Sequence, residues 1–284
     1  MKIVTTLSEL RAARAGLPEP VGFVPTMGYL HAGHLSLARR AKEECASVVA
    51  SIFVNPTQFG SGEDLSKYPR DLARDLSLLE SAVVDLVWTP TPEVMYPPTF
   101  QTWVTVEELT KGLEGAARPG HFRGVTTVVA KLFNAVQPHK AYFGQKDAQQ
   151  AAVICQMTKD LDFPIEIVVC PTVREADGLA MSSRNAYLNP DECMAATVLF
   201  RALSVAKSAY DKGERGAEIL RRIMTETITA EPLAKLQYVS CADYDTLQEL
   251  ETVAGKALLS MAVFIGKTRL IDNFVIGETV SLRE

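Results

Sequence analysis

The sequence predicts an α/β protein in which a doubly wound parallel sheet is followed by a smaller α+β domain. Three observations carry this. Over the first 170 residues, short apolar runs rich in β-branched residues alternate with amphipathic stretches of helical period. Those runs lack the polar alternation of half-wetted strands, so they read as parallel strands buried on both faces. From Pro190 onward the order becomes helices and then strands, which fits an α+β unit.

Residues 21–25 (VGFVP) form a buried strand ended by proline. Residues 33–45 follow as a helix, with Leu35, Leu37, Ala38 and Ala41 inward. Residues 47–54 (SVVASIFV) are a second buried strand, and 71–81 a helix with Leu72, Leu76 and Leu79 inward. The third strand is 83–88. A helix is expected at 125–136, a strand at 141–143, a helix at 146–159 and a strand at 164–170 (PIEIVVC). Right-handed crossovers join such units, and ligands bind outside the carboxyl ends of the strands. Beyond the connector at 172–190, helices are expected at 191–211 and 217–230, broken by Gly213 and Gly216. Strands follow at 236–242, 257–265 and 269–275. The expected domains are 1–174 and 175–284.

Composition narrows the function. Apolar residues are 47% and charged residues 22% of 284, the balance of a globular chain with a sizeable core. Twenty-nine basic against 34 acidic residues give a net charge of −5, unlike the basic footprint of a nucleic-acid binder. The N-terminus, MKIVTTLSEL, carries no secretory signal. The uncharged stretches 20–38 and 45–62 contain prolines, glycines and polar side chains, so neither reads as a membrane span. Cys45, Cys155, Cys170, Cys193 and Cys241 are odd in number and show no CxxC spacing. They read as reduced thiols of a cytoplasmic protein.

Five segments carry chemistry. PTMGYLHAGHLSL (25–37) turns from strand to helix, and its glycines allow a tight turn and close approach to a ligand. His31 and His34, three apart at a helix N-terminus, can donate to phosphates where the helix dipole already favours anions. The segment has neither the GxxxxGK[ST] nor the GxGxxG pattern, and it lacks the partners of a zinc site. FVNPTQF (53–59) places Asn55 and Gln58 after a strand, as neutral amides for a hydroxyl or carboxylate. RPGHFRG (118–124) gathers Arg118, His121 and Arg123 in a loop suited to an anion. In AYFGQKDAQQ (141–150), Gly144 ends a strand and Lys146, Asp147 and Gln150 open a helix. Lys146 suits a phosphate, while Asp147 suits a helix cap or a ribose. DGLAMSSRN (177–185) sets Ser182, Ser183 and Arg184 in a polar loop that suits a triphosphate.

Together and in this order, these motifs resemble the pantoate–β-alanine ligase (pantothenate synthetase) family over nearly the whole chain, from PTMGYLHAGH to the IDN near its end. HxGH alone is shared with class I aminoacyl-tRNA synthetases and nucleotidylyltransferases; the five together are far more specific. The resemblance implies a Rossmann-like nucleotide- and pantoate-binding domain over 1–174 and a small lid domain over 175–284. It implies an ATP-dependent ligase: pantoate and ATP give pantoyl adenylate and pyrophosphate, then β-alanine gives pantothenate and AMP. ATP contacts are implied at Met27, Gly28, Tyr29, Leu30, His31, Ala32, Gly33, His34, Gly144, Gln145, Lys146, Asp147, Val173, Met181, Ser182, Ser183 and Arg184. Of these, His31, His34, Lys146 and Arg184 are the implied catalytic residues. Gln58, Gln150 and Asn55 are implied for the substrates.

Mg²⁺ is implied with ATP as substrate, beside Asp75, and a homodimer is implied as the assembly. The sequence departs from the family's pattern twice. Where some members carry consecutive acids, Arg74 precedes Asp75, so the metal rests mainly on phosphate oxygens. The SSR segment lacks the first basic residue of the related synthetase loop, which leaves more phosphate charge to Lys146. The rival readings are a nucleotidylyltransferase that stops at a nucleotidyl product and a non-catalytic nucleotide-binding protein. A tRNA synthetase is disfavoured by the short, acidic chain without an evident anticodon-binding domain.

Overall fold

The computed structural model of the chain describes residues 1–277. It divides into two compact units. The first comprises Met1–Lys111, Gly115–Gln145 and Gln150–Val173; the second comprises Gly112–Glu114, Lys146–Gln149 and the chain from Arg174 onward.

The first unit is built on six strands: β1 (Lys2–Val4), β2 (Val21–Thr26), β3 (Ser47–Ile52), β4 (Leu86–Trp88), β5 (Lys140–Gly144) and β6 (Glu166–Cys170). Their order is β1-β4-β3-β2-β5-β6, with every pairing parallel. Helices cover both faces. On one, α1 (Leu7–Ala15), α6 (His121–Val136) and α7 (Ala148–Asp160) bury Leu10, Phe133 and Ile154 with Phe23, Val49 and Phe143 of the strands. On the other, α2 (Ala32–Glu44) and α3 (Leu72–Ser81) bury Leu35, Ala38 and Leu79 with Val24, Val48 and Val87. Shorter helices lie at α4 (Pro92–Met95) and α5 (Leu113–Ala117). After β2 the chain winds one way to β3 and β4, and later the other way to β5 and β6. Strands β2 and β5 therefore flank the switch point of the sheet, the place beyond whose carboxyl ends open α/β sheets bind their ligands.

In the second unit, α8 (Pro190–Ala196), α9 (Val198–Asp211) and α10 (Ala217–Thr229) are followed by an antiparallel sheet, β7 (Ala234–Asp243), β8 (Ala257–Ile265) and β9 (Thr268–Ile276). Leu199, Leu203, Leu220 and Met224 of the helices pack with Leu259, Met261 and Val263 of the sheet. The two short pieces from the first half join this unit through specific bonds. Arg269 makes two bonds to the buried Glu114 (2.8 and 2.6 Å), and Tyr238 donates to the same carboxylate at 2.9 Å. The Gln149 side chain accepts from Glu114 N at 2.8 Å and donates to Gly112 O at 3.0 Å.

Several elements differ from the sequence expectation. Strand β1 and helix α1 were not anticipated; α1 buries only Leu10, and its signal is the local capping box of Thr6 and Glu9. The third anticipated strand starts at Leu86, because Val83 sits at φ 59 and ends the preceding turn. Helix α6 begins four residues before the expected 125, after Gly120 at φ 84. The single helix expected over 191–211 is two, divided at Thr197, whose hydroxyl donates to Met194 O at 2.7 Å. The helix expected from Lys146 opens as a 3-10 turn at Gln145–Asp147.

Candidate active site

The loop after β2 and the start of α2 form the best-defined polar constellation of the first unit. Gly28 (φ 86) and the non-glycine Tyr29 (φ 50) both take left-handed backbone conformations. This reverses the chain and delivers His31 to the N-cap of α2. The expected role of Gly33 in the turn passes to Tyr29, since Gly33 lies within the first helical turn. The His31 ring accepts from Gly33 N through Nδ1 at 3.2 Å, and His34 Nδ1 accepts from His31 N at 3.3 Å. This is a capping box made of two imidazoles. Because each Nδ1 accepts, each neutral ring carries its proton on Nε2, and Nε2–H is the donor it presents. The ring centroids are 4.1 Å apart. No acidic side chain occupies the first turn of α2, so its positive end is not neutralised from within.

Asp75, from α3, locks this turn. It is 1% exposed, and its two oxygens accept from Tyr29 N and Leu30 N, each at 2.7 Å. The neighbouring Arg74 donates to Leu30 O at 2.9 Å and lies 5.3 Å from the Tyr29 ring centroid. The sequence expectation placed Asp75 beside a metal. The structure instead commits both carboxylate oxygens to the backbone of the histidine turn. Among the described residues, no three His, Cys, Asp or Glu side chains gather as a metal site. The residues present thus do not fit a resident, protein-held ion.

Asn55 and Gln58 follow β3. Asn55, 1% exposed, donates to Gln58 Oε1 (2.9 Å) and Gly124 O (3.1 Å). Its own oxygen accepts from the hydroxyls of Thr57 and Tyr96, both at 2.9 Å. Both amide protons and both lone pairs are thereby used. The expected substrate contact at Asn55 gives way to a role in holding Gln58. The Gln58 amide nitrogen faces Met27 Sδ at 3.2 Å, which links this loop to the one after β2.

The 118–124 segment, expected to take an anion, instead buttresses Gln58. Arg118 makes two bonds to Glu63, at 2.8 and 2.7 Å. His121 donates to Gln58 O through Nδ1 (2.8 Å) and accepts from Arg118 through Nε2 (3.1 Å), since a carbonyl can only accept and a guanidinium can only donate. Arg123 stacks over Trp103 at 4.3 Å. Burial raises the Glu63 pKa, but the bonds and charge of Arg118 outweigh it and hold the carboxyl below its ordinary value of 4.5. A Cβ on Gly124 would lie 2.4 Å from Thr57 O, so only glycine lets α6 approach this loop.

Gly144 ends β5 and Gln145 opens the turn that follows, beyond the strand neighbouring β2. A Cβ at Gly144 would meet nothing within 4 Å. Gln150 lies in the first turns of α7, half-buried, and Val173, also half-buried, follows β6. In the second unit, the Lys146 side chain is 20% exposed and 3.5 Å from Asp147. Ser182 caps the 3-10 turn Ser183–Tyr187, its Oγ accepting from Arg184 N at 3.2 Å. Met181 and Arg184 are half-buried, and Ser183 is buried.

Sequence reasoning missed the clamp by Arg74 and Asp75, and the Tyr96 contact to Asn55. These pairs lie 41 to 46 residues apart, where no local pattern joins them.

The profile of the family described as Pantoate-beta-alanine ligase matches residues 2–275. A relative from Roseiflexus sp. (strain RS-1), named Pantothenate synthetase, is 62% identical over 276 residues, covering 97% of this chain and 99% of the relative. The pantothenate synthetase structure from Thermus thermophilus superposes with a TM-score of 0.93 at 51% identity, covering 96% of this chain and 99% of that one. A pantoate-β-alanine ligase structure from Francisella tularensis, described as complexed with β-γ ATP and β-alanine, matches at a TM-score of 0.79 and 37% identity. That match covers 97% of each chain.

Proposed function

The chain belongs to the pantoate–β-alanine ligase family, and from that premise we infer that it joins pantoate to β-alanine with ATP, for pantothenate biosynthesis. The observation that carries the reading is the pair of imidazoles capping α2 beyond the carboxyl end of β2, at the switch point of the sheet. A pantoate carboxylate oxygen attacks the α-phosphorus of ATP, and pyrophosphate leaves. The neutral β-alanine amine then attacks the acyl carbonyl, the acyl–oxygen bond breaks, and AMP and one proton leave. The chain needs no covalent nucleophile for either step.

His31 and His34 supply fixed N–H donors to the phosphates, where preorganised donors stabilise charge shifting in the transition state. His34 acts mainly by hydrogen bonding, with proton transfer secondary. Met27, Gly28, Tyr29, Leu30, Ala32 and Gly33 line the nucleotide. Gly144 and Gln145 let it approach the backbone after β5, and the open space at Gly144 supports this. Gln58 and Gln150 hold pantoate, with the Gln58 amide oriented by Asn55. In the second unit, Lys146, Ser182 and Arg184 take phosphate charge, with Asp147, Val173, Met181 and Ser183 as further nucleotide contacts. Magnesium enters with ATP, carried on its phosphate oxygens. The division into a binding domain over 1–174 and a lid over 175–284 is part of the same proposal.

We place the protein in the cytoplasm, on the support of five unpaired cysteines. No helix among the described residues is long and apolar enough to cross a membrane. We propose a homodimer as the assembly; light scattering at micromolar protein tests it, and a monomer mass refutes it. ATP–pyrophosphate exchange tests the adenylating half. Exchange that requires pantoate is expected, and exchange without pantoate would overturn the reading.

A further inference from the structure

Strand β9 carries two adjacent buried polar residues, Asp272 (2% exposed) and Asn273 (5%). Strand alternation sends their side chains to opposite faces. Asn273 Nδ2 donates to Lys146 O at 2.9 Å. Asp272 holds Arg174 through two bonds, at 2.7 and 2.9 Å, and also accepts from Asn273 N at 2.7 Å. Arg174 lies over both the Phe200 and Phe274 rings, 4.9 and 5.0 Å from their centroids, and donates to Gly178 O at 3.0 Å.

The Gly178 turn is tight. Gly178 sits at φ 94 against Phe200, and Arg174 bridges Ala180 in antiparallel fashion. From Ala180, whose carbonyl accepts from Asn185 Nδ2 at 3.1 Å, the chain runs directly into 181–184. One two-residue step of one strand thus fixes the backbone at Lys146 and the root of the loop that carries Ser182 and Arg184.

We propose that Asn273, and Asp272 acting through Arg174, are positioning residues for the two phosphate-binding segments of the second unit. The proposal rests on the reading of Lys146 and 182–184 as phosphate ligands. Its physical basis is that a buried ion pair adds little net stability, because desolvation offsets the Coulomb attraction. What the pair supplies here is a single position for the turn at Gly178 that roots the 181–184 loop. The amide of Asn273 fixes the plane of the Lys146 carbonyl, and so the direction in which that side chain leaves the backbone. Neither residue needs to touch ATP.

The test is steady-state kinetics on the full-length enzyme with each substrate varied, for Asn273→Ala, Lys146→Ala and the double variant. Losing one hydrogen bond of this kind predicts a rise in KM for ATP of about three- to tenfold for Asn273→Ala. The KM for β-alanine should stay within about twofold, and the effect should shrink in the Lys146→Ala background, because coupled residues are non-additive. If Lys146→Ala raises the KM for ATP and Asn273→Ala does not, the positioning role falls and the phosphate reading stands. If Lys146→Ala leaves the KM for ATP unchanged, the phosphate reading falls first. A uniform loss of active enzyme with every KM unchanged would make Asn273 merely structural and overturn the proposal. Should Asn273→Ala not fold, Arg174→Lys tests the other arm. It keeps a cation for Asp272 but gives up the second bond, so the KM for ATP should again rise, and an unchanged value overturns the proposal.

Discussion

Replacing Asp75 with Asn separates a clamp from a metal ligand. The carboxylate accepts two short bonds, from Tyr29 N and Leu30 N at 2.7 Å each, at a site 1% exposed. Asparagine keeps one acceptor and turns an amine toward the other N–H. That N–H is left buried without a partner, at a cost of about 1–3 kcal/mol. The surviving bond also loses its charge assistance, which costs about 1 kcal/mol more. A loss of about 3 kcal/mol lowers the melting temperature of a unit this size by about 6–12 °C. Calorimetry measures the shift. The same variant, assayed at saturating ATP, should need a magnesium concentration within about twofold of the parent's, because no protein–metal bond has been removed. A melting temperature unchanged within about 1 °C, with a magnesium requirement raised about tenfold, would refute the clamp and restore Asp75 as a metal ligand.

Three further outcomes follow from the same geometry. His34→Ala should lower pantoate-dependent ATP–pyrophosphate exchange by about 10²–10³-fold, as expected for a removed transition-state donor; a variant keeping most of the rate would remove His34 from that role. Gly124→Ala would place a Cβ 2.4 Å from Thr57 O, so it should destabilise by about 1–3 kcal/mol. It should also raise the KM for pantoate more than that for ATP, because Gln58 is displaced, and an unchanged pantoate KM would break the link from α6 to Gln58. Glu63, held below 4.5 by Arg118, stabilises the fold above that value, and this stability is lost as the pH falls through its folded pKa. Arg118→Ala should therefore flatten the acid limb of the stability–pH curve below 4.5, while an unaltered limb would leave the pair without a stabilising role.

The fold was legible where its signals are local. Runs such as SVVASIFV are apolar on both faces, so parallel strands could be read from them directly. The strand-to-helix turn at His31 and His34 was equally legible, because capping and dipole effects act within one helical turn. What stayed hidden was contact between distant segments. Nothing near Asp75 in sequence points to Tyr29, and nothing near Arg118 distinguishes an arginine paired with Glu63 from one waiting for an anion. Asn55 read as a substrate ligand because a polar residue after a buried strand fits that role. Only the positions of Tyr96 and Gly124 reveal that its bonds are already used. The discontinuous second unit was hidden for the same reason, since Glu114 and Arg269 are 155 residues apart.

This chain adenylates pantoate and passes it to β-alanine. The most direct measurement is AMP formation from ATP and pantoate, with and without β-alanine, with the product identified by mass. AMP release that requires both substrates is expected, with pantothenate as the product. Pyrophosphate without an amide would leave the adenylating half standing and contradict the choice of acceptor. ATP binding with no reaction at all would contradict the claim itself.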